Sequence, residues 1–410
     1  MNHKYGRLSN NFKRIFLTDN LSFIMNKVLL FAMPLWIMEV TGSAVMLSLY
    51  NSSIVLTSVL VSPVSGIFSD RMNKIKIIKS GNILKLLSVF LIFLLFQEPE
   101  TNVYLIIGVF LLRYLCISVI NPSTSSLIVH IVDKKEIENA VYIQQLTTQV
   151  LQILSPAIAG MLVSMLSYRN IYLTDIVVII IVLCLLSGFS YESDSQNVQK
   201  KEEKNSFIKK ELLKKHSAGK AIPVFLLCAS VINVLGSAMV LSMQVYMVND
   251  KINKALAGIL FAASPAGGII GSLLAKKIGL QKFHVYHSMF FVSLMGIFNV
   301  VMGIFAHFHQ VYYFIAAYFI SGIFFGLSNV QFGIFYKKYI PKEIQGRFFG
   351  FLNSILLIAT PAGNLINGFF IEVMNVSASI LLLGGLTCIS GLLFAGITKK
   401  MFHGTEEMFL

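Results

Sequence analysis

Twelve apolar runs, each close to or above the ~20 residues that cross a bilayer as a helix, leave this 410-residue chain little choice of fold. They cover roughly 15–38, 45–69, 75–97, 102–125, 138–166, 170–191, 221–248, 254–275, 284–306, 310–336, 345–371 and 376–398, with ends good to a few residues. Backbone in hydrocarbon must satisfy its own hydrogen bonds, so runs of this length are helices. The half-polar, alternating segments of about ten residues that build a membrane barrel are absent. Charged residues make up 13% of the chain, about half the ~25% usual in soluble domains. That is too few to cover the two or three soluble domains its length would otherwise suggest. The expected fold class is therefore an all-α membrane protein with twelve transmembrane helices, and a soluble enzyme, a disordered chain or a secreted disulfide scaffold is ruled against.

Lysine and arginine set the orientation. Of 33 such residues, 27 fall at loops and helix ends on the side that holds the N-terminus, eight of them between 200 and 220. Three, Arg169, Lys251 and Lys254, fall on the other side, and Lys27, Lys85 and Arg113 lie within spans. Short basic loops face the cytoplasm, so both termini are expected there, in a multi-pass protein of the cell membrane. The net charge of +14 is a consequence of this spacing and gives no reason to expect nucleic acid. Cys116, Cys184, Cys228 and Cys388 all sit in apolar segments without CxxC spacing, so neither a disulfide framework nor a metal site is indicated. About 14 polar and basic residues precede the first run and no small-residue cleavage site follows it, which reads as a retained helix. The one long polar loop, 192–220, divides the spans six and six, giving halves 1–191 and 221–410. It reads as a solvated linker, with a mixed basic and apolar stretch at Phe207–Leu213 suited to a membrane surface.

The halves carry internal repeats. Ser62-Pro63, Ser155-Pro156, Ser264-Pro265 and Thr360-Pro361 fall in spans 2, 5, 8 and 11, the middle helix of each group of three. Small residues follow each, among them Gly66, Gly160, Gly267 and Gly363. Proline removes a backbone bond and kinks a helix, and small residues let helices approach closely in lipid. Lys135-Glu136-Ile137-Glu138-Asn139 before span 5 is echoed by Lys342-Glu343-Ile344-Gln345-Gly346 before span 11. Triplets nested in two six-helix halves are the build of rocking secondary transporters.

The loop between spans 2 and 3 reads Gly66-Ile67-Phe68-Ser69-Asp70-Arg71-Met72-Asn73-Lys74-Ile75-Lys76. It resembles the gating motif of the major facilitator superfamily, with Gly66, Asp70, Arg71 and Lys74 matching. Asn73 stands where glycine is usual and is expected to take a left-handed turn. The resemblance implies a pseudo-symmetric twelve-helix fold and a loop that gates the cytoplasmic side, with Asp70 near the N-terminus of helix 11. The equivalent stretch of the second half, Gly271 to Lys282, keeps lysines but lacks the acid. Arg113 stands where the family's fourth-helix motif has its arginine. Ser155, Pro156 and Gly160 form a weakened version of the exporter motif of helix 5. Thr41-Gly42-Ser43-Ala44, Asn121-Pro122 and Asp175 add a resemblance to the macrolide-efflux, drug:proton antiporter branch.

Polar groups within spans are the candidates for substrate binding or proton coupling. Buried arginine is costly in lipid, so Arg113 is expected to face protein or a water-filled cavity, either for function or in a structural pairing with backbone carbonyls or a buried acid. Asp19 and Asn26 are seven apart on one face of helix 1, followed by Lys27, which needs a partner such as Asp19, Asp175 or an anionic substrate. Lys85 is expected to snorkel to the cytoplasmic end of helix 3, and Trp36 to anchor helix 1 at the interface. Gln145, Gln149 and Gln152 form one stripe on helix 5. In the second half Asn233, Gln244, Asn329, Gln331, Asn353 and Asn364 either join helices or line a cavity.

No HExxH, GxSxG or Walker-type motif is present, so an enzyme is not expected, nor any cofactor or metal. Without a nucleotide site, an ion gradient is the power source expected, with intramembrane acids carrying protons. These readings lead to the expectation of a monomeric, proton-coupled exporter of a small organic molecule. The alternatives are export of an anionic carboxylate siderophore or similar metabolite, motivated by Lys27 and Arg113, and a non-transporting membrane receptor or scaffold.

Overall fold

A computed structural model of the chain describes residues 10–97, 102–132, 136–187, 221–279, 286–340 and 345–402. These residues form twelve long helices: α1 (Asn10–Thr41), α2 (Ala44–Arg71), α3 (Lys74–Leu95), α4 (Val103–Ile131), α5 (Ile137–Met165), α6 (Tyr168–Ser187), α7 (Ala221–Asn249), α8 (Lys254–Ile278), α9 (Tyr286–His307), α10 (Val311–Tyr339), α11 (Gln345–Met374) and α12 (Val376–Phe402). All twelve are long and apolar enough to cross a membrane. No strand occurs among the described residues. Large apolar side chains such as Leu60, Met165 and Val373 stand exposed along the helices, a surface suited to lipid rather than water. The expected linker 192–220 and the opening residues of the two echoes, Lys135 and 342–344, lie outside the described residues.

The helices group into two compact units. The first holds α1, α2 from Ser53 onward, α3 to α6, and the opening turns of α8, Asn253–Ala262. Its core at the basic helix ends gathers Phe12, Ile15, Ile75, Ile78, Leu127 and Leu186. The second holds the opening turns of α2, Thr41–Ser52, with α7, α8 from Ala263, and α9 to α12. Phe225, Met289, Phe335, Tyr336, Phe348 and Leu352 form a core there.

Near three of the Ser/Thr-Pro turns, those at Pro156, Pro265 and Pro361, small residues are where helices meet. A Cβ added to Gly160 on α5 would lie 2.6 Å from the Lys254 carbonyl oxygen on α8, and one on Gly258 would lie 2.5 Å from that of Pro156. At Ser264 α8 meets Gly322 of α10 in the same way, and Gly363 of α11 meets Val234 and Ser237 of α7. Polar side chains join the same helices: Ser237 Oγ donates to the Thr360 carbonyl at 3.1 Å, and Asn367 Nδ2 to the Ala238 carbonyl at 2.7 Å. Asn73 departs from expectation. Its φ of −62° is ordinary extended backbone, and its side chain accepts from the Ile75 and Lys76 amides, capping α3. A short polar residue suits either task, and the unpaired amides at a helix start decide for the cap.

Candidate functional site

Two features gather the polar side chains of the spans. In the first unit α1, α4 and α6 bring Asn26, Arg113 and Asp175 together. Arg113 Nε and Nη2 both donate to Asp175 Oδ2, at 3.1 and 2.9 Å, and Nη2 also donates to Asn26 Oδ1 at 2.9 Å. Both charged side chains are fully buried. Asp175 Oδ1 and Arg113 Nη1 have no hydrogen-bond partner among the described residues. The pair therefore keeps a free acceptor and a free donor in the core, which is unusual for buried polar groups. Such a carboxylate can accept a further donor on Oδ1 without first breaking its bonds to arginine.

Lys85 belongs beside this cluster, where the sequence placed it elsewhere. It is the twelfth residue of the 22-residue α3, midway along it, and only 2% exposed, so it does not snorkel. Its ammonium interacts electrostatically with Asp175 and Arg113. Arg113 alone pairs with the carboxylate directly, and Lys85 is a second cation within reach of its field. Trp36 is likewise no interfacial anchor: it is buried and packs edge-on against Phe96, which stacks on Tyr172. A rim position would have left the indole half in water, whereas a ring pair on α6 and beyond α3 encloses it.

The other first-half candidates stay apart from this cluster. Lys27 sits 5.4 Å above the Phe23 ring and forms no ion pair among the described residues. Being one residue past Asn26, it is turned by a quarter of the helix circumference away from Arg113. Asp19 faces Gln144, a residue the polar stripe had passed over. Gln145, Gln149 and Gln152 lie on an exposed face of α5. Ser155 and Gly160 are buried where α5 meets α8. Near that crossing Glu39 Oε1 pairs with Lys254 at 2.9 Å and Glu39 Oε2 accepts from the Tyr168 hydroxyl at 2.9 Å. Of the gating loop, Lys74 opens α3, and the surroundings of Gly66, Asp70 and Arg71 at the end of α2 lie outside what the structure describes.

The second unit holds a cavity of about 700 Å³, within the ~300–1,000 Å³ range of pockets that take small organic molecules. Polar groups at its wall include Asn233, Asn299, Asn329, Asn353, Tyr318 and Thr360, and Phe325, Phe332 and Tyr336 supply apolar surface. Asn233 and Asn329 are thus where the sequence pointed. Gln244 is not at the wall; it accepts from Asn51 at 2.7 Å and ties the start of α2 to α7. Gln331 is buried, also away from the wall. Asn299 was missed, although a lone amide in the apolar helix α9 is the signal that finds it.

The sequence model of the Major Facilitator Superfamily matches residues 15–298 and 226–404, nearly the whole chain. The chain belongs to the major facilitator superfamily. Among its relatives is macrolide efflux protein A of Streptococcus pyogenes, 23% identical over 393 residues, 93% of this chain and 95% of that protein. Another is the uncharacterized MFS-type transporter YfiS of Bacillus subtilis strain 168, also 23% identical, over 87% of this chain and 85% of that one. The nucleoside transporter NupG shares the fold at 12% identity, with a TM-score of 0.74 over 95% of this chain and 100% of its own. A bacterial homologue of the iron transporter ferroportin, in its inward-facing state, does so at 16% identity with a TM-score of 0.64, over 95% of this chain and 98% of its own. Membership of this superfamily makes the chain a multi-pass membrane transporter of small substrates, twelve helices long.

Proposed function

We propose that this superfamily member exports a small organic molecule, drug-like or a metabolite, from the cell, driven by inward movement of protons through alternating access. The observation that carries the coupling half is the buried Arg113–Asp175 pair with its free carboxylate oxygen. A buried ion pair is costly to make and seldom retained for stability alone. Protonation of Asp175 would release Arg113, giving the pair two states that a gradient can bias. Asp19, lower on α1 and facing Gln144, is the alternative proton site. Export rather than uptake is supported by the likeness to macrolide efflux protein A and by Ser155, Pro156 and Gly160 on α5. The cavity of the second unit is the substrate's seat in this reading. An anionic siderophore is supported less, because Arg113, half of its cationic motive, is already matched by Asp175.

Both termini are placed in the cytoplasm, the membrane is the cell membrane and the working unit is one chain. The test is accumulation of a panel of labelled drugs and endogenous metabolites in cells with and without the gene. The expected result is lower accumulation of some compounds in expressing cells, lost on adding a protonophore and lost in Asp175→Asn. If no compound's level changes, a receptor or scaffold role replaces transport.

A further inference from the structure

Glycine weakens the interior of a helix relative to alanine, so a glycine there wants a reason. For many in this chain the reason is packing: a Cβ on Gly160, Gly258, Gly267, Gly322 or Gly363 would run into backbone of another helix. Gly236 on α7 and Gly333 on α10 have no such reason. Each is well inside its helix and lines the second unit's cavity, and among the described residues nothing lies within 4 Å of a Cβ added to either. The chain forgoes a side chain at two places where its own atoms leave room for one, and at both the room opens into the cavity.

Each glycine sits within a stripe of larger lining side chains. Asn233 and Val240 line the wall three residues before and four after Gly236, and Asn329 and Tyr336 four before and three after Gly333. Residues at these spacings share one helix face. Each flanking pair is seven residues apart, about 10 Å along the helix axis at ~1.5 Å per residue. Between them the wall drops to bare backbone. The result on each helix is a notch, deep because the Cβ is missing and narrow because side chains close it above and below. A flat ring enters such a notch by its edge. A globular group of equal volume is held off by the flanking side chains. Beside Gly333 the rings of Phe332 and Tyr336 lie 20° from parallel, an aromatic surface on which a flat ring can stack.

We infer that Gly236 and Gly333 determine specificity by shape, so that the cavity takes molecules carrying a flat, fused ring system. This rests on the reading of the cavity as the substrate's seat and names a substrate class within it.

The test is equilibrium binding to the full-length protein in nanodiscs, with no gradient, corrected for empty nanodiscs. The probes are two tritiated neutral alcohols of similar size: 1-pyrenemethanol, flat, and triphenylmethanol, whose three rings are twisted out of one plane. The wild type is expected to bind pyrenemethanol at least tenfold more tightly. Gly236→Ala and Gly333→Ala should each weaken it at least fivefold, change triphenylmethanol less than twofold and leave the unfolding midpoint level or higher. Gly108→Ala and Gly396→Ala, where the added Cβ also meets nothing within 4 Å but off the cavity, should change neither probe. Val240→Trp fills the cavity from an exposed position on its wall and should weaken both probes at least tenfold. If the wild type binds neither probe saturably, or Val240→Trp leaves both bound as before, the inference falls together with the reading of the cavity as the seat. If Val240→Trp acts as expected, the inference alone is overturned by any of four results. These are no wild-type preference for pyrenemethanol, its binding unmoved by both cavity alanines, equal weakening of both probes, or equal weakening by the two control alanines. A lower unfolding midpoint in both cavity variants overturns it too, because the glycines would then serve packing.

Discussion

Burying a guanidinium beside a carboxylate takes both out of water, and their attraction repays this only while both are present. Arg113 and Asp175 are fully buried, so removing Asp175 strands Arg113, and removing Arg113 leaves Asp175 with only the charge of Lys85, which makes no direct ion pair with it among the described residues. Arg113→Ala and Asp175→Ala should each destabilise the protein by about 3–5 kcal/mol, read as a lower unfolding midpoint in detergent. The Arg113→Leu/Asp175→Leu double variant, made in a Lys85→Met background so that no buried cation is left alone, should recover at least half of that loss and still show no gradient-driven export. Full export by the double variant would make the pair structural only. Lys85 allows an independent check. With two cations in reach of one carboxylate, Lys85→Met removes a charge that nothing fully matches, so its unfolding midpoint should stay level or rise. A fall as large as that of Asp175→Ala would mean that the carboxylate leans on Lys85 as much as on Arg113.

At the scale of helices, the approach of α5 to α8 is set by two glycines. Gly160→Ala or Gly258→Ala would push a methyl group into opposing backbone and should cost about 1–3 kcal/mol, as overpacking does. Gly236 and Gly333 at the cavity wall have nothing within 4 Å of an added Cβ. There alanine should stabilise by about 0.5–1 kcal/mol through helix propensity, while narrowing the cavity. Thermal unfolding of the four variants separates the two pairs. The helices themselves were legible because bilayer thickness fixes their length. Their ends run further than the apolar runs, α1 beginning at Asn10 rather than near 15, since a helix does not stop at the hydrocarbon edge. What the sequence hid is rotation. Arg113 and Asp175 are 62 residues apart, and whether they meet depends on which way α4 and α6 turn their faces. The same limit concealed Asn299 against Ser321 and sent Lys85 to the wrong place: a helix apolar on every side gives no stripe from which to read its inward face.

For the molecule as a whole, orientation rests on charge. Each lysine or arginine carried across the membrane opposes insertion, so the side with 27 of them is expected to stay in the cytoplasm and the side with three to emerge. Asn205 lies in the polar stretch between the sixth and seventh spans, and Lys251 in the short turn between α7 and α8, so one spanning helix separates them. In a background without the four native cysteines, Asn205→Cys should resist a membrane-impermeant maleimide in intact cells and react after permeabilisation. Lys251→Cys should react in intact cells. The reverse pattern would turn the protein over and overturn the orientation inferred from the basic loops. Because one measurement reads both positions on the same chain, a leaky membrane shows itself as labelling at both, whereas a true inversion labels Asn205→Cys alone. Orientation decides more than a drawing convention. In the proposed exchange a proton from outside would meet Asp175 two turns into α6 from the less basic side, and only this orientation would make that path run down an inward gradient.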